Sequence, residues 1–238
     1  MEANTELTDN YLENHFIHRS NWLRAAVLGA NDGILSTASI AIGVASATNL
    51  REPIILATVA GLVAGALSMA AGEYVSVSSQ ADVENADIER EKIELLEMPE
   101  LELQRLAEIY EKRGLKKETA LLVAQELTAN DALGAHIRDE LGINEITQAK
   151  PLQAALASGA AFTLGGLLPF LVTVFAPLNN MELVLYGSSL LFLIILGATA
   201  AKTGGSTITK AILRITFWGT IAMGLTAMVG YLFQVNVG

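Results

Sequence analysis

The sequence predicts an all-α polytopic membrane protein with five transmembrane helices and a helical cytoplasmic insert between the second and third of them. Two bulk properties of the 238-residue chain favour this fold class: 52% of its residues are hydrophobic, and its mean hydropathy is +0.43. A bilayer core about 30 Å thick requires about 20 apolar residues in a helix. Five long stretches without a charged residue come close to that length: 33–50, 53–72, 151–181, 183–201 and 215–238.

The boundaries of the five spans follow from breakers and charges at their ends. Pro53 suits the first turn of a helix and opens the second span. The fourth span ends at Gly204-Gly205, a typical breaker pair. We therefore expect the five spans at roughly these positions: 25–48, 53–78, 154–177, 182–201 and 211–233.

The acidic charge is concentrated in the insert, residues 81–150. This segment holds 17 of the 25 Asp and Glu residues and nine Lys and Arg residues, a net charge of −8. We expect three regions in the chain: an N-terminal segment with the first two spans (1–80), the acidic insert (81–150) and the last three spans (151–238). An acidic segment of this kind attracts cations and is not expected to bind nucleic acid.

The insert is predicted to be helical. Charges without a breaker follow the second span, so one helix should continue from the membrane until Met98-Pro99. Gly114 should end the second insert helix and Gly142 the third. We expect the third helix to be broken near Thr128, and Pro151 to open the third span.

Basic residues near the span ends predict the orientation. Arg19, Arg24 and the 202–214 loop lie on one side of the predicted bundle, while Arg51 stands alone on the other. We therefore expect the N-terminus, the insert and the 202–214 loop to be cytoplasmic. The acidic N-terminus does not have the charge of a signal peptide, and we expect the cell membrane of a prokaryote, or a vacuolar membrane if the source is eukaryotic.

Two acidic residues fall inside or near the ends of spans, where a carboxylate costs about 2.5–3.5 kcal/mol on insertion scales. Asp32 lies in the first span and Glu73 in the second, with Met69 one turn before Glu73. Carboxylates with a thioether suit Fe²⁺ or Mn²⁺ better than Mg²⁺ or Ca²⁺. The alternatives are that the acids contact interfacial water and that Met69 packs as an ordinary apolar residue.

Acidic residues in the insert form a second candidate site. Glu91 and Glu94 lie one turn apart, Glu102 follows the break at Pro99, and Glu140 ends the third helical region. Glutamates converging from separate helices can enclose a divalent cation. A solvated acidic face is the usual reason for such charge runs, and spacing alone does not exclude it. His15 and His18 precede the first span and offer only a weak case for a metal relay.

Catalytic chemistry is not indicated. The chain has no cysteine, which excludes disulfides and thiolate metal sites. It shows no nucleophile–histidine constellation and no Gly-rich phosphate-binding motif, so we expect a protein that is not an enzyme and has no permanently bound cofactor.

Two motifs resemble signatures of the vacuolar iron transporter family. The stretch 18–33, HRSNWLRAAVLGANDG, resembles the first-span signature, and 68–80, SMAAGEYVSVSSQ, resembles the second-span signature. The acidic insert, with Asp139-Glu140-Leu141-Gly142 near its end, occupies the place of that family's cytosolic metal-binding domain. The resemblance extends over nearly the whole chain.

The resemblance implies a homodimer of five-span subunits that exports cytosolic Fe²⁺, and often Mn²⁺, in exchange for protons. By this resemblance Asp32 and Met69 match the family's membrane metal positions, and Glu73 matches its second-span glutamate. We therefore expect Asp32 and Glu73 to couple metal and proton movement.

In the insert, the resemblance implies metal-binding glutamates at four positions: Glu91, Glu94, Glu102 and Glu140. The chain departs from the family at Arg105, where another glutamate is expected, and at His136 and Ile137, where some members carry methionines. The alternative function is a membrane-anchored metal-binding or storage protein without transport.

Overall fold

The computed structural model describes residues 20–143 and 149–233. Within these ranges the chain forms seven α-helices and one short 3₁₀ helix, Leu178–Asn180, and no strand. The α-helices are α1 (Ser20–Ala45), α2 (Arg51–Glu97), α3 (Pro99–Lys112), α4 (Lys117–Asp139), α5 (Pro151–Phe175), α6 (Met181–Thr203) and α7 (Ile208–Leu232). The predicted all-α fold class is confirmed.

Five helices are long and apolar enough to cross a membrane: α1, α2, α5, the segment Leu178–Thr203 that contains α6, and α7. They occupy the five predicted positions. The prediction that the second span continues into the insert is also confirmed, since α2 is one helix of 47 residues. Its end at Glu97 and the start of α3 at Pro99 agree with the predicted break.

The spanning helices present large apolar side chains outward. Leu67 on α2, Phe175 on α5 and Leu183 on α6 are each more than 60% exposed. A water-soluble protein rarely exposes so much apolar surface. This outward surface is the one expected for helices that face lipid.

The unit formed by residues 1–74 and 152–238 is built around α1. This helix contacts both α6 and α7, which also contact each other. Ala38, Ala41 and Ile42 of α1 are almost completely buried, and they share a core with Leu185 of α6 and Met223 of α7. The first span is therefore an inner helix and not an outer wall of the bundle.

Glycines bring α1 and α5 into backbone contact. A Cβ atom added at Gly33 would lie 2.1 Å from the carbonyl oxygen of Phe162, and one added at Gly165 would lie 2.3 Å from the carbonyl oxygen of Ala30. Gly29 and Gly33 are spaced as in the GxxxG pattern that lets membrane helices approach closely. Even the smallest side chain at Gly33 would force the two helices apart.

Arg51 closes the C-terminal end of α5. Its Nη1 donates hydrogen bonds to the carbonyl oxygens of Thr173 and Val174, at 3.0 and 2.6 Å, and its Nη2 donates one to that of Ala176 at 2.6 Å. The last carbonyls of a helix carry partial negative charge and lack partners within the helix. A structural task thus accounts for the single basic residue between the first two spans.

We expect Arg51→Gln to lower the thermal stability of the detergent-solubilised protein. Hydrogen bonds from a charged donor contribute about 1.5–3 kcal/mol each. The monodisperse peak in size-exclusion chromatography should therefore disappear at a lower heating temperature than in the wild type. Lys202→Gln removes an exposed charge and should leave the transition unchanged. Equal stability of the two variants would show that the Arg51 contacts do not stabilise the bundle.

The unit Val75–Pro151 contains the end of α2 and the hairpin of α3 and α4. Gly114, with φ of 102°, ends α3 as predicted, because this left-handed backbone favours glycine. Leu106 and Ala107 of α3 pack on Ala124 and Ala135 of α4. The hairpin therefore has its own small apolar core.

The break in α4 expected near Thr128 lies three residues further on, at Asp131. Asp131 has a non-helical backbone (φ −159°, ψ 89°), and its Oδ1 accepts a hydrogen bond from the amide of Gly134 at 2.9 Å. An aspartate that accepts from the amide three residues on is a helix N-cap. The helix therefore restarts at Asp131, and Gly142, with φ of 69°, follows its end as predicted.

Candidate metal sites

Three helices of the insert bring four potential metal ligands together. Glu91 lies on α2, Glu102 on α3 and His136 on α4, with Glu140 directly after α4. One ligand atom from each lies within 4.8 Å of the others. The structure therefore brings together three of the glutamates expected in this segment, and it adds a histidine.

His136 lies at the centre of this cluster. Its Nδ1 is 2.8 Å from Glu91 Oε1, 2.9 Å from Glu140 Oε2 and 4.0 Å from Glu102 Oε2. The ring joins Glu140 because residues four apart share a helix face. The sequence analysis does not predict His136 as a ligand. Its spacing of four residues from Glu140 is the sequence signal that places both on one helix face.

Three of the four cluster residues are buried, and Glu140 is exposed. Glu102 and His136 are fully buried, and Glu91 is 3% exposed. Among the described residues, Glu102 Oε2 and His136 Nε2 have no hydrogen-bond partner. Buried polar atoms are normally paired, so an unpaired carboxylate oxygen next to an imidazole is a position that a cation would satisfy.

The electrostatics of the cluster favour uptake of positive charge. Burial, and after it the nearby charge of Glu140, raises the pKa of Glu91 above its usual value, while His136 acts in the opposite direction. Carboxylates crowded in a buried place resist ionising together. A divalent ion would relieve this repulsion, and three carboxylates with one imidazole suit Fe²⁺ and Mn²⁺.

Glu94 is not part of this group. Its Oε2 accepts a hydrogen bond from Arg105 Nη1 at 2.8 Å, and the same Nη1 donates to Glu102 Oε1 at 2.7 Å. Arg105 therefore holds Glu94 away from the cluster and fixes Glu102 so that only its second oxygen faces His136. The guanidinium supplies a permanent positive charge where a further glutamate was expected.

In the membrane unit, Asp32 on α1 and Met69 on α2 lie at a similar depth along these two antiparallel helices. Gly61 of α2 lies against Ile40 of α1. Asp32 precedes Ile40 by eight residues, and Met69 follows Gly61 by eight, so each lies about 12 Å along its helix from that contact. Asp32, Met69 and Glu73 are all half-buried.

Asp32 has one hydrogen-bond partner in the described structure. Ser36, one turn later on α1, donates its hydroxyl to Asp32 Oδ1 at 2.6 Å. Phe162 of α5 places its backbone against Gly33 and its ring against Gly65, so α5 closes the space beside both helices. On α2, Gly61 and Gly65 make close contacts with side chains of other helices, whereas a Cβ at Gly72 would meet nothing within 4 Å. His15 and His18 lie outside the described residues.

Five apolar helices and a buried carboxylate–histidine cluster define the class of protein: a polytopic α-helical membrane protein with a candidate metal site outside its spans. The model of the VIT family matches residues 23–231. The chain belongs to the VIT family, a family of transporters and not of enzymes.

Three relatives illustrate the similarity. A vacuolar iron transporter of Acanthamoeba castellanii is 44% identical over 216 residues, which cover 90% of this chain and 80% of that protein. Vacuolar iron transporter homolog 2 of Oryza sativa subsp. japonica is 35% identical over 216 residues, 90% of this chain and 92% of that protein. Vacuolar iron transporter homolog 2.1 of Arabidopsis thaliana is 33% identical over 212 residues, 89% of this chain and 81% of that protein.

Proposed function

We propose that this protein exports Fe²⁺, Mn²⁺ or both from the cytosol across the membrane in exchange for protons. The observation that carries the proposal is the cluster of Glu91, Glu102, His136 and Glu140, three of them buried, in a chain whose relatives are named iron transporters. A storage protein would need the cluster but not five spans with carboxylates in or near two of them.

The insert collects the metal in this proposal. The proposed cytoplasmic orientation rests on Lys202, Lys210 and Arg214 at the adjoining ends of α6 and α7, as basic residues favour the cytoplasmic side. The insert's net charge of −8 raises the local concentration of divalent cations. The cluster then selects those that accept an imidazole beside carboxylates.

Asp32, Met69 and Glu73 receive the ion in the membrane. Ionisable groups inside spans usually line a polar path, and the similar level of Asp32 and Met69 on α1 and α2 supports a shared site. Two carboxylates and a thioether are fewer ligands than a divalent ion commonly takes. We therefore propose that a second copy of the chain completes the site, in a homodimer.

Proton exchange follows from competition for the same oxygens. A carboxylate that binds either a proton or a metal ion, but not both at once, releases one when the other arrives. Asp32 and Glu73 are the groups proposed for this role. We place the protein in the cell membrane of a prokaryote, or in a vacuolar membrane if the source is eukaryotic.

The test is transport by the purified protein in proteoliposomes, with Fe²⁺ under reducing conditions and Mn²⁺ assayed separately. Under an imposed pH gradient, metal should move in one direction and a trapped pH dye should report proton movement in the other. Metal binding without flux would support the anchored binding protein instead. Flux without a pH change would remove the proton from the mechanism.

We expect the insert to bind one ion in the wild type and a second in Arg105→Glu. The substitution removes the cation between Glu94 and Glu102 and adds a third carboxylate beside them. Equilibrium dialysis of the full-length protein with Mn²⁺ should show one additional ion per chain. Lys112→Glu makes the same charge change on an exposed part of α3 and should add none. An unchanged count in Arg105→Glu would refute the role given to Arg105.

A further inference from the structure

A cleft between α1, α6 and α7 remains outside the proposed metal path. Its volume is about 580 Å³, and all of its lining residues belong to the unit of 1–74 and 152–238. Leu28, Asn31 and Leu35 form its α1 wall. No carboxylate lines it, so its chemistry differs from that of either candidate metal site.

Small residues create the space. Gly197, Ala200 and Ala201 of α6 and Ala211 and Gly219 of α7 line the cleft. The helices are in close contact on this face, since a Cβ at Gly197 would lie 3.2 Å from the Ile215 side chain. The lining residues of the cleft on α7 run from Ala211 to Gly219, about 12 Å along that helix, which leaves room for part of a hydrocarbon chain.

One basic and one aromatic residue also line the cleft. Arg214 and Trp218 both line the cleft and lie one turn apart on α7, so they share a face. Trp218 is 62% exposed, and Arg214 has no acidic partner among the described residues. Counted from the start of α7 at Ile208, Arg214 lies about 9 Å and Trp218 about 15 Å along the helix. The long Arg214 side chain can reach the membrane interface, whereas Trp218 lies at the depth of the acyl chains.

The charged residues that follow Glu182 in the chain are all basic. Glu182 is the last acidic residue of the chain, and Lys202, Lys210 and Arg214 are the only charged residues after it. In a chain of net charge −10, this is a local reversal of sign. Basic pockets between membrane helices bind anionic headgroups.

We propose that the cleft binds one anionic phospholipid per subunit, from the leaflet that faces the 202–214 loop. Arg214 holds the phosphate, and one acyl chain lies against Trp218 and over the small residues of α6 and α7. The site would join α1, the inner helix, to the outer pair α6 and α7. It does not depend on which metal is transported.

The test uses fluorescence of the full-length Trp22→Phe protein, in which Trp218 is the sole tryptophan. Phosphatidylglycerol with brominated acyl chains is titrated into the protein in detergent micelles. The fluorescence of Trp218 should be quenched, and the quenching should saturate. Brominated phosphatidylcholine should require at least fivefold more lipid, since one basic residue near the surface contributes about 1 kcal/mol. Native mass spectrometry should show one retained phosphatidylglycerol per chain.

Two variants and one matched control decide between explanations. Arg214→Gln and Ala211→Phe, which fills the cleft without a charge change, should each lose the selective binding. Lys210→Gln removes the same charge outside the cleft lining and should retain it. The proposal is overturned if both lipids quench equally, if Lys210→Gln weakens binding as much as Arg214→Gln, or if Trp218 is shielded from both lipids by a second copy of the chain.

Discussion

Proteoliposomes that contain the Asp32→Asn variant are expected to transport no more Fe²⁺ or Mn²⁺ than liposomes without protein. The substitution keeps the size and hydrogen-bonding shape of the side chain but removes its charge and its exchangeable proton. Loss of an outer-shell partner alone reduces metal affinity about 10–100-fold, and loss of a proposed ligand should cost at least as much. The measurement is the initial rate of metal uptake under a pH gradient.

Two controls separate chemistry from folding. Ser36→Ala removes the 2.6 Å hydrogen bond to Asp32 and leaves the charge, so it should slow transport without abolishing it. Asp32→Glu retains a carboxylate and should keep partial activity. Wild-type flux from a well-folded Asp32→Asn protein would exclude Asp32 from the transport path.

The Glu91→Gln substitution should weaken metal binding and stabilise the metal-free insert. It removes one of three carboxylates around His136, so we expect Mn²⁺ affinity to fall about 10–100-fold. It also replaces a buried charge that is crowded by Glu140 and Glu102 with a neutral group of the same shape. Hydrogen–deuterium exchange of the α3–α4 peptides should therefore be slower in the metal-free variant than in the metal-free wild type.

Glu108 provides the matched control on α3. It is exposed and lies outside the cluster, so Glu108→Gln should change neither the Mn²⁺ affinity nor the exchange rate. Faster exchange in the metal-free Glu91→Gln variant would contradict this prediction. It would mean that the Glu91 carboxylate stabilises the metal-free insert instead of destabilising it by repulsion.

The same group gives the metal-free insert a defined pH dependence. Because the pKa of Glu91 is higher in the folded than in the unfolded chain, its contribution to stability is complete below the unfolded value, about 4.5. That contribution is lost as the pH rises through the folded value. Glu91→Gln should flatten this part of the pH profile, and saturating Mn²⁺ should do the same in the wild type.

The sequence predicted the helices well because their signals are local. Apolar stretches of membrane length set the five spans, and Pro99, Gly114 and Pro151 mark helix boundaries by backbone geometry alone. The displaced break in α4 shows the limit of such signals. Any of several polar residues could have restarted the helix, and only the contact of Asp131 with Gly134 identified which one did.

The candidate site was less predictable because its members meet across helices. Glu91 and Glu94 are equivalent by spacing, yet one faces His136 and the other faces Arg105. That choice depends on which helix packs beside each of them: α4 brings His136 to Glu91, and α3 brings Arg105 to Glu94. Similarly, Gly29 and Gly33 flank the Asn31-Asp32 pair in the sequence, and their function as a contact surface for α5 emerged only from the folded chain.

The backbone contact at Gly33 restricts how the transporter can move. With a carbonyl of α5 seated directly against α1, neither helix can slide or rotate past its neighbour without breaking that fit. We therefore expect α1 and α5 to move together as a single body. On this expectation, an opening to the opposite side of the bilayer would come from displacement of α2, α6 or α7 around this pair.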